Sequence, residues 1–181
     1  QDRILLAPME GVVDAVMRDA ITRIGGVDLC VTEFIRVTDR ILPLSDYQKY
    51  CPELFNGSGS RTPAGTPVLV QLLGGKPIPM AENAAYVSAL GALGIDLNFG
   101  CPVPKVTGKG GGSQLLREPE TAGEIFRRVV RAVKKIPVTV KMRLGYSDTS
   151  GGEAVRIAKL AEEAGLDAIA VHGRTREQGY S

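Results

Sequence analysis

The chain has 181 residues, 44% of them apolar, with few aromatics, no tryptophan and a formal net charge of +2. That length supports one domain with a real core, and so small a net charge does not by itself predict a nucleic-acid partner. No apolar run is long enough to span a membrane, the opening QDRILLAPME lacks the basic start and long apolar stretch of a secretory signal, and three cysteines without metal-type spacing argue for reduced thiols in the cytoplasm.

Ile4 to Ala7 is a short apolar run stopped by Pro8. Helical periodicity follows, with Val12, Val13, Val16, Met17, Ala20, Ile21 and Ile24 on one stripe closed by Gly25-Gly26. A strand over Leu29–Phe34 makes this a βαβ beginning and hence a parallel pair. Residues 35–67 are irregular, proline-rich and polar, with a short helix expected near Ser45–Tyr50; a functional loop is expected there, because strand-helix alternation resumes at once. Val68–Leu73 reads as the third strand, and Pro79 as the start of a helix running to Leu93. Ile95–Phe99 is the fourth strand, Pro119 opens a helix with the stripe Ile125, Phe126, Val129, Val130 and Val133, and Pro137–Met142 is the fifth strand. A helix over Glu153–Ala164, ended by Gly165, leads to a sixth strand at Asp167–Val171.

Two internal repeats support the layout. Strands two, four and six open with Gly-x-Asp (GVDLCV, GIDLNF, GLDAIA), while strands three and five share Pro-Val-x-Val and a long polar residue (PVLVQ, PVTVK). Alternating repeats suit a (β/α)8 barrel of the TIM type, whose odd and even strands feed different interior layers. A doubly wound open sheet is the other α/β solution, but the first turn, APMEGVVD, has one glycine where that fold carries a phosphate fingerprint. A full barrel has eight strands, so about six βα units predict an incomplete one.

Parallel strands in a barrel aim their C-terminal ends at one mouth, where such enzymes keep their chemistry. Those ends read Pro8-Met9-Glu10, Glu33-Phe34, Gln71, Asn98 with Cys101, Lys141 with Arg143, and His172 with Arg174. Each strand is apolar until its end and then turns polar; the convergence is what points to a site. Each residue also has a plainer reading: His172 as a hydrogen-bonded core residue, Lys141 as a surface lysine, Gln71 as a partner of backbone, Cys101 as a small buried hydrophobe, and Cys30 and Cys51 as core. The loop GKGGGS after Cys101 has a phosphate-loop composition without Walker spacing and reads as a flexible lid or RNA-facing loop. Arg127, Arg131, Lys134 and Lys135 share a helical face, read as solvated. No metal-binding spacing and no G-x-S-x-G elbow occurs. Two amides, a lysine, an imidazole and a thiol suit a planar cofactor working on a planar substrate.

APMEGVVDAVMR, QLLG, DLNFGCPVPKVTGKGGGSQLL, PVTVKMRLG and HGRTREQGY, in that order, resemble the tRNA-dihydrouridine synthases, and TEFIRVTDRILP, CPEL and SRTPAGT resemble their bacterial C-type subgroup. The resemblance implies an FMN-dependent TIM-barrel enzyme that reduces a D-loop uridine of tRNA, at position sixteen, to 5,6-dihydrouridine with NADPH as reductant, without metal or membrane, and monomeric at full length. It implies that Pro8 and Met9 line the flavin by backbone, that Gln71, Lys141 and His172 are its side-chain contacts, and that Cys101 protonates uracil C5 as hydride reaches C6. Asn98 would hold the uracil edge, with Arg143 and Arg174 near substrate or cofactor; Glu10 is counted on the cofactor side and Glu33 on the substrate side. Residues 1–181 would be the N-terminal part of the catalytic domain, without the last barrel strands that bind the FMN phosphate or the C-terminal helical tRNA-binding domain, and are expected to hold FMN weakly and to be inactive alone. The alternatives are a dihydroorotate dehydrogenase-like flavin barrel acting on free pyrimidines, a non-catalytic RNA-binding barrel, and a flavin-free barrel using Lys141 as a Schiff base.

Overall fold

A computed structural model of the chain describes residues 3–179. The apolar runs form β1 (Leu5–Leu6), β2 (Leu29–Val31), β3 (Ile35–Arg36), β4 (Val68–Leu73), β5 (Ile95–Phe99), β6 (Val138–Gly145) and β7 (Ala168–Thr175). They lie in the order β1-β2-β4-β5-β6-β7, with β3 continuing beyond β2 along β4. Every strand pair is parallel. The helices are α1 (Ala15–Ile24), α2 (Leu44–Tyr50), α3 (Pro77–Ala89), α4 (Pro104–Thr107), α5 (Pro119–Val133) and α6 (Gly152–Ala164). This is a parallel α/β half-barrel, an incomplete TIM barrel.

The central strands are built for burial on both faces. All six residues of β4, VLVQLL, are buried, as parallel sheets covered by helices require. Pro119 starts α5 where a missing N–H does no harm. The helix buries Ala122, Ile125, Phe126, Val129 and Val133. Phe126 stacks on Phe99 of β5 with ring centroids 4.9 Å apart, which fixes the helix on the sheet. Gly165 closes α6 in the left-handed conformation that favours glycine. At the sheet's lateral edges the burial ends: Leu5 of β1 and Val171 of β7 are each 49% exposed.

Three details differ from the sequence pattern. The strand expected over Leu29–Phe34 breaks after Val31. The Thr32 N–H still donates to the Leu69 carbonyl (2.9 Å), but the Thr32 hydroxyl accepts the Gln71 backbone N–H (3.0 Å) and Glu33 Oε1 accepts the Gly11 N–H (2.7 Å), so side chains take over part of the ladder. The apolar stripe of α1 marks a helix but not its buried face: Val16 and Ile24 are exposed, while Arg18 and Thr22 are buried. The cause is the irregular region 37–67. It returns Glu53 against Arg18, with Nε–Oε1 2.8 Å and Nη2–Oε2 3.0 Å. Arg18 also donates to the carbonyls of Val13 and Tyr50, and Thr22 Oγ1 lies 3.0 Å from Thr62 Oγ1. Finally, β6 and β7 run past their apolar segments, and the register pairs Arg143 with His172. His172, expected just past the sixth strand, therefore sits within β7, as Lys141 sits within β6.

Candidate active site

The strand exits place most of the expected polar residues at one mouth, and a chain of side-chain hydrogen bonds runs beneath it. Asp96, buried in β5, accepts from Gln71 Nε2 at 2.7 Å and from Thr139 Oγ1 at 2.5 Å. The other end of the Gln71 amide, Oε1, accepts from Asn98 Nδ2 at 2.9 Å. Asn98 Oδ1 in turn accepts the backbone N–H groups of Gly100 (3.0 Å) and Cys101 (2.9 Å). Among the described residues no buried side-chain nitrogen or oxygen lacks a partner, which is the condition for a buried polar network to rigidify rather than weaken a core.

Cys101 is 8% exposed and packs with Leu73, Val106 and the half-buried Phe34. Burial pushes its thiol pKa up, and the nearby Glu10 carboxylate pushes the same way; a backbone hydrogen bond from Val103 and the charges of Arg143 and Arg36 oppose them. The group is therefore a protonated thiol at neutral pH. That suits a proton donor rather than a nucleophile.

The glycine-rich segment, read from its composition as a flexible lid or RNA-facing loop, is exposed at Gly108 and Lys109 and packed in its second half. Gly111, Gly112 and Ser113 are buried, and Gly112–Arg117 is a short 3-10 helix. Ser113 gives both its N–H and its hydroxyl to the Cys101 carbonyl, each at 3.0 Å. Glycine is needed for the approach. Gly112 has φ +60, and a Cβ there would stand 2.6 Å from the Cys101 carbonyl oxygen; Gly75 is likewise closed against the Gly110 backbone. Gly112→Ala is expected to destabilise the protein by about 1–3 kcal/mol through the left-handed conformation alone. It should also displace Cys101, which a thermal melt run beside a turnover assay will read as a loss of rate exceeding the loss of fold.

The remaining residues fall into two groups. Lys141 and His172 are half-buried on neighbouring strands. Burial, the largest influence, lowers the Lys141 pKa against the raising influence of Asp96. Burial and then the charges of Arg143, Lys141 and Arg174 lower that of His172, so its imidazole is neutral at neutral pH. Arg174 is half-buried beside them. Arg143, by contrast, is 2% exposed. It donates to the carbonyls of Gly100 (2.9 Å) and Thr175 (3.1 Å), joining the β5 and β7 exits. Pro8 is half-buried, while Met9 and Glu10 are exposed at the first exit. The Met9 carbonyl accepts the N–H groups of Val12 and Val13, and Glu33 holds the same loop through Gly11. Arg143, Asn98 and Glu33 thus each have a structural bond to backbone beside the roles expected of them.

A cavity of about 360 Å³ opens between the β3 and β4 exits and the glycine segment. Arg36, Lys76 and Lys109 line it, with Asp39 as the one carboxylate, and Leu73 and Val106 form the wall it shares with Cys101. Among the described residues no cluster of His, Cys, Asp and Glu could hold a metal ion, and no helix is long and apolar enough to cross a membrane. Sequence reasoning missed Asp96, Thr139, Ser113 and Arg36. Asp96 carried a readable signal: it stands two residues before Asn98, and so on the same face of a strand.

A thiol, two amides, a lysine and a neutral imidazole at the C-terminal strand exits of a parallel half-barrel make a candidate site on the face where TIM barrels carry their chemistry. The family model for dihydrouridine synthase (Dus) matches residues 5–181, and the chain belongs to that family. It is 54% identical over 179 residues to a tRNA-dihydrouridine(16) synthase of Aquipseudomonas alcaligenes, and 50% and 49% identical to proteins of the same name from Salmonella typhimurium and Escherichia coli. In each case the match covers 98% of this chain and 56% of the relative, so the chain spans about half the length of these proteins. The fold also resembles the carboxyl transferase domain of Rhizobium etli pyruvate carboxylase (TM-score 0.55, 17% identity, covering 93% of this chain and 26% of that one). A further likeness is phosphonopyruvate hydrolase (TM-score 0.53, 17% identity, 95% and 59%). Both likenesses speak to fold alone.

Proposed function

We propose that the intact protein reduces a D-loop uridine of tRNA, at position sixteen, to 5,6-dihydrouridine, with FMN as its resident cofactor and NADPH as the reductant. The observation that carries this reading is the buried Cys101 thiol, held over the Gln71–Asn98 amide path at strand exits that also carry Lys141 and His172. The relatives named for the same reaction support it.

The donor set fits a flavin. His172 offers a hydrogen-bonding edge for a flat heterocycle and Lys141 a cation for a ring that becomes anionic on reduction or for a phosphate, while Gln71, fully buried with both amide ends engaged by Asp96 and Asn98, supports that surface from beneath. When bound, the flavin supplies the hydride that uracil receives at C6. The chain's own residues do the rest. Cys101 delivers a proton to C5, so the C5–C6 double bond gains a hydride and a proton, and solvent later restores the thiol proton. Burial keeps that thiol protonated until it is used. The target base has to be swung out of the RNA fold to reach a site this deep. Arg36 and Lys109, beyond the Leu73–Val106 wall and beside a Lys76 that is ion-paired with Asp39, give the neighbouring RNA backbone a basic surface that a free pyrimidine would not need.

Mass spectrometry of tRNA from cells lacking the intact protein tests the reading. Dihydrouridine at position sixteen should be absent and should return on complementation. Dihydrouridine that persists without the gene, or reduction of free pyrimidines in preference to tRNA, would overturn it.

A further inference from the structure

The three Gly-x-Asp repeats look alike in sequence, yet their aspartates do different work. Asp28 and Asp167 are exposed, and each accepts one backbone N–H from the neighbouring strand, Ile4 at 2.7 Å and Val138 at 2.8 Å. They fasten strand entrances. Asp96 is the second residue of its strand, where Asp28 and Asp167 each stand one residue before theirs; it is 4% exposed and accepts from two side chains, Gln71 and Thr139. A buried carboxylate is expensive to keep unless something is gained from it, and strand fastening is not what is gained here.

What Asp96 does is remove a choice. A primary amide has a donor end and an acceptor end, and nothing in its shape says which way it points. Burial raises the Asp96 pKa, opposed by the hydrogen bonds from Gln71 and Thr139 and by the charge of Lys141; in the carboxylate form that those three partners favour, Asp96 only accepts. Facing Asp96, Gln71 must present its NH2 group, which turns its oxygen toward Asn98. Asn98 must then present its own NH2 group to that oxygen, which turns its carbonyl toward the N–H groups of Gly100 and Cys101. Orientation passes in one direction through two amides to the backbone that carries the thiol. We propose that Asp96 is a positioning residue for proton transfer: acting through Gln71 and Asn98, it sets the backbone geometry of Cys101.

The inference rests on the reaction proposed above, and the test separates the two. In the intact protein with bound flavin, two quantities are measured for wild type, Asp96→Ala, Asp96→Asn and Asn98→Ala: the single-turnover rate of dihydrouridine formation in tRNA, and the rate at which iodoacetamide labels each cysteine, read peptide by peptide. If wild type forms no dihydrouridine, the reaction has failed; the labelling still decides the inference. Asp96→Ala is expected to slow turnover by about 10²-fold, the scale of a misplacement near 1 Å, and to speed labelling of Cys101 while Cys30 and Cys51, buried in the core, stay protected. Asp96→Asn can accept from Gln71 with its oxygen, but its NH2 end can equally face Gln71 and reverse both amides, so it should fall between wild type and Asp96→Ala in rate and in protection of Cys101. In an Asn98→Ala background, Asp96→Ala should add no further loss, because the path is already cut. Wild-type rate and labelling in Asp96→Ala, an Asp96→Asn variant indistinguishable from wild type, or losses that multiply in the double variant would each overturn the inference. Should labelling of Cys30 and Cys51 show that Asp96→Ala does not fold, Gln71→Leu cuts the same path one link on, leaves the carboxylate bonded to Thr139, and takes its place in the labelling comparison.

Discussion

Cys101→Ala is expected to lower dihydrouridine formation by about 10²- to 10⁴-fold, the ordinary worth of a positioned general acid, with flavin content unchanged. The thiol side chain packs against Leu73 and Val106 and is not part of the amide path beneath it, so its truncation leaves Gln71, Lys141 and His172 where they are. Single-turnover kinetics with tRNA and the absorbance of bound flavin check the two halves separately. The pH dependence follows from the same environment. The active form is the protonated thiol, and burial holds its pKa above the ordinary cysteine value. The rate limited by this step should stay flat through neutrality and fall as pH rises through that elevated pKa. A rate that rose with pH in the same range would mark Cys101 as a thiolate nucleophile instead.

The second large effect concerns the fold. Glu53→Ala should destabilise the protein by about 3–5 kcal/mol, because it leaves the Arg18 guanidinium buried without its counter-charge. For a chain of this size that is a fall in Tm on the order of 10 °C. Arg18 and Glu53 have side-chain exposures of 0% and 4%, so salt should hardly screen the pair. Glu53→Gln, which keeps an acceptor and loses the charge, should fall between wild type and alanine. Thermal and denaturant melts measure both. A Glu53→Ala variant as stable as wild type would mean that the 37–67 region is not anchored as described. The exposed Arg127–Glu124 pair on α5 is the contrasting case, and its removal should hardly register.

The architecture was readable from the sequence where one physical signal dominated. Val68–Leu73 and Ile95–Phe99 are apolar runs between turn residues, and the strands fall on those residues. The stripe on α5 is its buried face because nothing polar competes for that surface. On α1 the same periodicity misled: a buried ion pair with a residue 35 positions away takes the inner face, and local periodicity carries no information about so distant a partner. The expected site residues were visible as a change from apolar to polar at each strand end. What periodicity could not show is how those residues are bonded to one another. Asp96 passed as one more strand-entry aspartate, and the glycines after Cys101 passed as slack. Their purpose is close approach, which shows only when a Cβ is placed at Gly112 and meets the Cys101 carbonyl.

Because every strand pair is parallel, no part of this site can form from a hairpin. The contacts beneath the mouth join residues far apart along the chain: Gln71 and Asp96 are separated by 25 positions, Asp96 and Thr139 by 43. Each must wait for a crossover helix to dock before its strands can meet. Such topologies fold slowly relative to those rich in local contacts. In the interval, uncharged strand segments such as VLVQLL stand unpaired, and a window of that composition is what drives misassociation of nascent chains. The aspartate in IDLNF interrupts the neighbouring window with a charge while the chain is open. The residue that orders the finished site therefore also guards the strand that carries it before the site exists.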